Sequence, residues 1–346
     1  MNGLFVRKSI SSLQSEAQQS GAKTLKRVLG PVSLVALGVG VIIGAGLFSI
    51  TGMVASAYTG PAITLSFVVA AIGCCFAGLC YAEFASMIPV AGSAYTYSYA
   101  TMGELIAWII GWDLVLEYTV AATTVSISWS RYLVVFLQGV GIELPHSLTA
   151  CPWDGGIINV PAMIIVVLMS LILMRGTAGS SFFNGLIVFL KIGVILTFVV
   201  LGWKFIQTDN YVPYIPENTG TFGHFGLSGI FRGAAIVFFA FLGFDAVSTA
   251  AQETKNPKRD MPIGILVSLL VCTVLYVLFA HVMTGVASYT QFGGQEGIAP
   301  VAVAIANMGV PDASGVIQPA YPCPPRRTRW HLRRIRRTQL LLCTAR

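Results

Sequence analysis

The chain has 346 residues, of which 55% are hydrophobic and 10% charged, and its mean hydropathy is +0.77. Soluble domains carry about 25% charged residues, so the composition excludes an ordinary water-soluble globule and points to an all-α polytopic membrane protein. The net charge of +7 implies no nucleic-acid partner, because residues 321–346 hold eight arginines and no acid, while the other 320 residues hold 13 basic and 14 acidic side chains.

Residues 1–30 form a polar tail with Arg7, Lys8, Lys23, Lys26 and Arg27. They lack the short apolar core and small-residue cleavage site of a secretory signal. Apolar runs of spanning length follow at 32–58, 61–88, 104–137, 157–174, 184–207, 228–251 and 262–287, which predicts seven helices. The third is long and partly amphipathic, as expected of a tilted helix packed inside a bundle. Lys and Arg near span ends set orientation. The basic N-terminal cluster lies inside, and alternation then places Arg175, Lys255, Lys258 and Arg259 inside as well. The same alternation places loops 138–156 and 208–227 outside, and both lack Lys and Arg.

The first span, Val32 to Tyr58, is 27 residues long and carries Ile43-Gly44-Ala45-Gly46-Leu47-Phe48 at its middle. A helix needs about 20 apolar residues to cross a bilayer, so a few can be unwound. Non-helical backbone at that depth must be buried in protein or line a watery cavity. The sixth span repeats the peculiarity, with Gly243 and Asp245 inside Phe238 to Ala246. A mid-membrane carboxylate costs roughly 2.5–3.5 kcal/mol on insertion scales and needs a partner or a cavity. Two matched interruptions five helices apart point to an inverted repeat of five helices around a central site. Helix N-termini there suit a carboxylate, and carbonyls suit an ammonium. An amino acid bears both on one carbon. Close helix packing through Gly40-xxx-Gly44 is the plainer reading of the glycines.

Lys191 stands about 12 Å into the fifth span, counted from residue 184 at the rise of an α-helix. It either snorkels to the interface or serves as a cation facing the bundle. Asp113 and Glu117 share one face of the third span; Glu117 is the candidate partner for Lys191 or for substrate. Asp245 is expected to join the Lys191 network or to cap the second half of span 6. Glu83 and Glu253 read as solvated edges or gate charges, and His281 as a core residue. The cysteines show no metal-ligand spacing. No catalytic triad order, P-loop or cofactor motif supports an enzyme.

Segment 288–316 reads as an outer loop toward a further span. Near residue 317 the character changes, with Pro322-Cys323-Pro324-Pro325 followed by Arg-rich clusters. One reading is a basic tail for anionic lipid. The preferred one is a shifted reading frame replacing the rest of a longer chain, which translation of the alternative frame would reveal as further apolar spans.

Together Gly40 to Phe48, Pro89 to Tyr97, Gly111 to Tyr118, Phe238 to Thr249 and Glu253 to Pro262 resemble the amino acid–polyamine–organocation superfamily. The resemblance is closer to bacterial members of the cationic amino acid transporter family. It covers about residues 25–316 and implies a 5+5 inverted-repeat bundle in the cell membrane, with broken helices 1 and 6 and the N-terminus in the cytoplasm. Residues 31–207 would form the first repeat and 228–287 the start of the second. It implies that amides around Gly44, Ala45 and Gly46 hold the substrate carboxylate. Carbonyls around Ile43, Phe239, Ala240 and Leu242 would hold the ammonium, with Phe239 as an aromatic gate. In proton-coupled relatives a lysine in the fifth span stands where sodium-coupled relatives bind an ion. Lys191, with Glu117 and Asp245, is therefore expected to couple amino acid uptake to protons by alternating access, without a cofactor. The alternatives are a polyamine or organocation carrier and a receptor or channel. A chain without helices 8 to 10 would be poorly stable or inactive.

Overall fold

The structure is a computed structural model and describes residues 7–9, 12, 27–88, 90–174, 180–293 and 299–308. The segment 317–346, Arg175 and most of the N-terminal tail lie outside these residues. Among the described residues the regular elements are helices, joined by one isolated parallel bridge between Leu29 and Thr254.

The first expected span is two pieces, α1 (Pro31–Ile42) and a helical segment over 46–59 built around α2 (Thr51–Val54). Wide five-residue turns at Gly46–Ile50 and Ala55–Thr59 flank α2. Such turns place one extra residue in each loop of the helix and commonly mark functional sites. Thr51 bonds the freed carbonyl of Leu47 at 2.7 Å, and Thr59 bonds that of Val54 at 3.3 Å. The chain reverses at Gly60 into α3 (Ile63–Met87). The short α4 (Ser93–Thr101) precedes the long α5 (Glu104–Gly139), which is followed by α6 (Val160–Met174) and α7 (Ser180–Gly202). Then come α8 (Gly226–Val237), the tight turn Phe238–Phe241, α9 (Ala246–Thr249), α10 (Pro257–Val286) and α11 (Pro300–Asn307).

Five helical stretches are long and apolar enough to cross a membrane, and α1 and Val160–Ile172 are shorter apolar helices. The expected polytopic architecture is therefore present. α10 lies at its centre, packed along α3 and α1. Lipid tails are as apolar as leucine, so helices associate through close packing of small residues. A Cβ at Gly38 would lie 2.6 Å from Ser268 Oγ, and one at Gly264 would lie 2.8 Å from Leu34 Cβ. Phe67, Phe241, Tyr276 and Phe279 fill the space between α3, α8 and α10, all fully buried.

Three expectations change. α5 is not packed inside the bundle among the described residues. It buries only Ala107, Ser126, Ser128 and Ser130 and exposes Trp108, Trp112, Leu116 and Val120. Its apolar residues run all round the helix, a pattern that cannot distinguish lipid from protein neighbours. The stretch after span 2 contains α4, whose polar residues carry no spanning signal. The outer loop after span 7 contains α11, whose Pro300 covers Gly52.

The N-terminal end of the first span and the C-terminal end of the sixth are joined by main-chain bonds. Val28 and Leu29 N–H groups donate to Glu253 O at 2.9 Å each, and Lys255 N–H donates to Leu29 O at 2.9 Å. These bonds hold the two ends side by side.

Candidate functional site

The two interruptions meet. α1 ends at Ile42; Ile43 is extended (φ −72°, ψ 109°) and Ala45 is helical again (φ −58°, ψ −25°). The break is thus narrower than the expected 43–48, because the wide turn from Gly46 restores the helix. In the sixth span, α8 tightens at Phe238–Phe241, Leu242 is extended (φ −53°, ψ 138°) and Gly243 has φ +106°. That last conformation is strained for any side chain. The helical remainder, α9 and the turn Ala250–Glu253, is short and tightly wound.

Contact explains the glycines. A Cβ at Gly46 would fall on the Cα of Ala240 and lie 2.7 Å from its Cβ; one at Gly243 would lie 2.7 Å from Val41 Cγ1. The two broken spans therefore interlock, Gly46 admitting the main chain of Ala240 and Gly243 the side chain of Val41. Gly44 differs: no atom lies within 4 Å of the place its Cβ would take. Close packing accounts for Gly46 and Gly243, and open space lies beside Gly44. The first N–H groups of a helix lack i−4 partners; here Leu47 N–H, at the start of the 46–59 segment, donates to Gly44 O at 3.2 Å.

Three of the carbonyls expected for an ammonium, those of Ile43, Phe239 and Ala240, already have protein donors. Lys191 Nζ donates to Ile43 O at 3.0 Å and to Gly40 O at 3.2 Å. α7 begins at residue 180 rather than 184, so Lys191 stands further along its helix than expected. Its ammonium turns to the end of α1 rather than outward to an interface. Its hydrogen bonds go to carbonyls and not to Glu117 or Asp245, a difference from the expected network. Ala240 O accepts from Tyr276 Oη at 2.8 Å, and the same hydroxyl lies 2.9 Å from Ile42 O.

Asp245 is 6% exposed. Its carboxylate makes no cap to α9, contrary to one expectation. Oδ2 accepts from Tyr118 Oη on α5 at 2.8 Å and from Ser93 Oγ at the start of α4 at 3.2 Å. Glu117 is half-buried and Asp113 exposed. Phe239 and Leu242 are half-buried at the rim of the break, and Phe239 O accepts Leu242 N–H at 3.2 Å. Ser49 pairs with Ser128, and Tyr132 Oη donates to Phe48 O at 2.6 Å, so the 46–59 segment is clipped to α5. His281 stacks on Tyr211 with ring centroids 4.8 Å apart. Among the described residues no three His, Cys, Asp or Glu side chains gather to hold a metal ion.

Sequence reasoning missed Tyr276, Tyr118 and Ser93. Tyr276 carried one available signal: a hydroxyl inside an otherwise apolar span must find a partner.

A family model described as amino acid permease matches residues 29–319. A branched-chain amino acid permease of Bacillus subtilis is 47% identical over 91% of the chain, and a methylthioribose transporter of the same organism is 43% identical over 92%. The vacuolar cationic amino acid transporter 4 of Arabidopsis thaliana is 35% identical over 92% of the chain and 52% of its own length. The chain spans 66% of the length of each of the two bacterial relatives.

Proposed function

The chain belongs to the amino acid permease family, and on that premise we propose that it carries amino acids across the cell membrane by secondary active transport, coupled to protons. The observation that carries this reading is the open space at Gly44, next to Gly46, where the first break packs on the sixth span. Amide donors from the 46–59 segment suit a carboxylate there, and the carbonyl-rich side at Ile43, Phe239, Ala240 and Leu242 suits an ammonium. Alternating access then consists of tilting the two broken spans against α5, with Phe239 closing over the ligand. The N-terminus faces the cytoplasm in this reading, as the basic residues near the inner span ends favour.

The relatives are named for different cargoes, so the side chain must be argued from the site. Ile43, Phe239 and Leu242 at the breaks are apolar. The buried acid of the sixth span, Asp245, is already held by Tyr118 and Ser93. This favours a zwitterionic amino acid with an aliphatic side chain over lysine, arginine or a polyamine. Lys191 supports proton coupling: its ammonium binds the same carbonyl, Ile43 O, that the substrate ammonium is expected to approach. Proton occupancy of Lys191 and substrate occupancy are thereby linked.

The test is uptake into proteoliposomes. Leucine accumulation driven by an inward proton gradient, without sodium, is expected. Competition by valine is expected, and none by putrescine, lysine or methylthioribose. Sodium-dependent uptake insensitive to pH removes the coupling assignment, and competition by putrescine but not by leucine replaces the substrate class.

A further inference from the structure

Tyr276 lies on α10, outside both broken spans, yet its hydroxyl reaches both. It is 2.9 Å from Ile42 O, the last carbonyl of α1, and 2.8 Å from Ala240 O in the tight turn after α8. The side chain is 0% exposed. Its ring is fixed by Phe67 and Phe241, with centroids 5.4 and 5.2 Å away. Phe67 belongs to α3 and Phe241 to the second break itself, so the hydroxyl has little freedom to choose another partner.

A tyrosine hydroxyl has one proton and each carbonyl has two lone pairs. The single O–H is shared between two acceptors that belong to different spans. Both acceptors are buried and end segments whose helical bonding has stopped, so losing the donor would leave each short of a partner. Each still has a lone pair for a second donor on its other side. The hydroxyl thus fixes the distance between the two carbonyl groups without occupying the space at Gly44.

We propose that Tyr276 is a positioning residue for amino acid binding: its hydroxyl sets the register of the two breaks and so the spacing of the carbonyls that receive the ammonium. This rests on the amino acid reading above. Tyr276 does not touch substrate; it acts through Ile42 and Ala240.

The test is leucine affinity and apparent melting temperature for the purified full chain in nanodiscs, compared with Tyr276→Phe and Phe67→Leu. Tyr276→Phe keeps the ring and removes the donor. It is expected to weaken leucine binding about tenfold, as for loss of one buried hydrogen bond with its unsatisfied acceptor. Phe67→Leu loosens the same aromatic cluster but keeps the hydroxyl. It is expected to lower the melting temperature while leaving affinity within about twofold, well under the factor of ten that 1.4 kcal/mol represents. A folded Tyr276→Phe with unchanged affinity assigns the hydroxyl to stability alone and overturns the proposal. So does a Tyr276→Phe that cannot be recovered folded when Phe67→Leu can. If the unsubstituted chain binds no leucine, the amino acid reading fails first, which its own arm of the experiment reveals.

Discussion

Gly44 and Gly46 are two residues apart and make opposite demands, so substituting each with alanine separates a ligand space from a packing contact. At Gly46 the new methyl would lie on the Cα of Ala240, 2.7 Å from its Cβ and 3.0 Å from its nitrogen. Carbon atoms pack at about 3.5–4.0 Å, so the two breaks would have to part by about 1 Å. Overpacking of this kind costs about 1–3 kcal/mol. At Gly44 the methyl meets nothing within 4 Å. There the only folding term is the reduced freedom of the unfolded chain, a gain of about 0.4–1 kcal/mol where the backbone tolerates alanine. Binding should respond differently, because the methyl at 44 fills part of the space offered to the carboxylate. Thermal unfolding and leucine binding are therefore expected to dissociate: Gly46→Ala lowers the melting temperature, and Gly44→Ala keeps it while losing at least about 1.4 kcal/mol of affinity, a factor of ten. Two results refute the reasoning. One is Gly44→Ala binding leucine as tightly as the unsubstituted chain. The other is Gly44→Ala melting as early as Gly46→Ala.

Further outcomes follow from other contacts. Lys191→Ala removes both ammonium bonds to the end of α1. Proton-driven accumulation should vanish while leucine exchange between equally buffered compartments persists; retained gradient-driven accumulation would remove Lys191 from the coupling. Tyr118→Phe takes a 2.8 Å donor from the buried Asp245 carboxylate, which should destabilise the chain by about 1–3 kcal/mol. It should also speed thiol labelling of a cysteine placed at the buried Ser248, three residues on; unchanged labelling would show that the bond does not restrict access to this part of the sixth span. Gly243→Ala combines a φ of +106° with a Cβ 2.7 Å from Val41 Cγ1. The left-handed backbone alone costs about 1–2 kcal/mol, so a melting temperature equal to that of the unsubstituted chain would contradict the described break.

How much of this was legible depended on whether the signal was local. Span positions and the two interruptions are local: they appear as apolar length with glycine inside it, and the structure has breaks at Ile43–Gly44 and at Leu242–Gly243. Which glycine packs and which faces open space was hidden, because it depends on Ala240 and Val41, hundreds of positions away in sequence. The partners of Asp245 were hidden for the same reason. A carboxylate inside a membrane announces that it needs a donor, but Tyr118 and Ser93 are ordinary residues until the fold brings them to it. Lys191 showed the reverse: its position suggested a charge partner, and the unwound carbonyls of α1 supplied one without any acid. The exposure of α5 was illegible because lipid and protein interior select the same apolar residues.

The main-chain joint between residues 28–29 and 253–255 has a consequence for sequence drift. Its donors are the N–H groups of Val28, Leu29 and Lys255, and its acceptors are the carbonyls of Glu253 and Leu29. Since every amino acid but one supplies the same groups, substitutions at these positions can alter charge, size and polarity and leave the joint intact. Proline is the exception, because it has no N–H to give. The seam of the two broken spans is thus written in the polypeptide backbone, where a library of variants at the donor positions Val28, Leu29 and Lys255 should tolerate nineteen residues and reject proline.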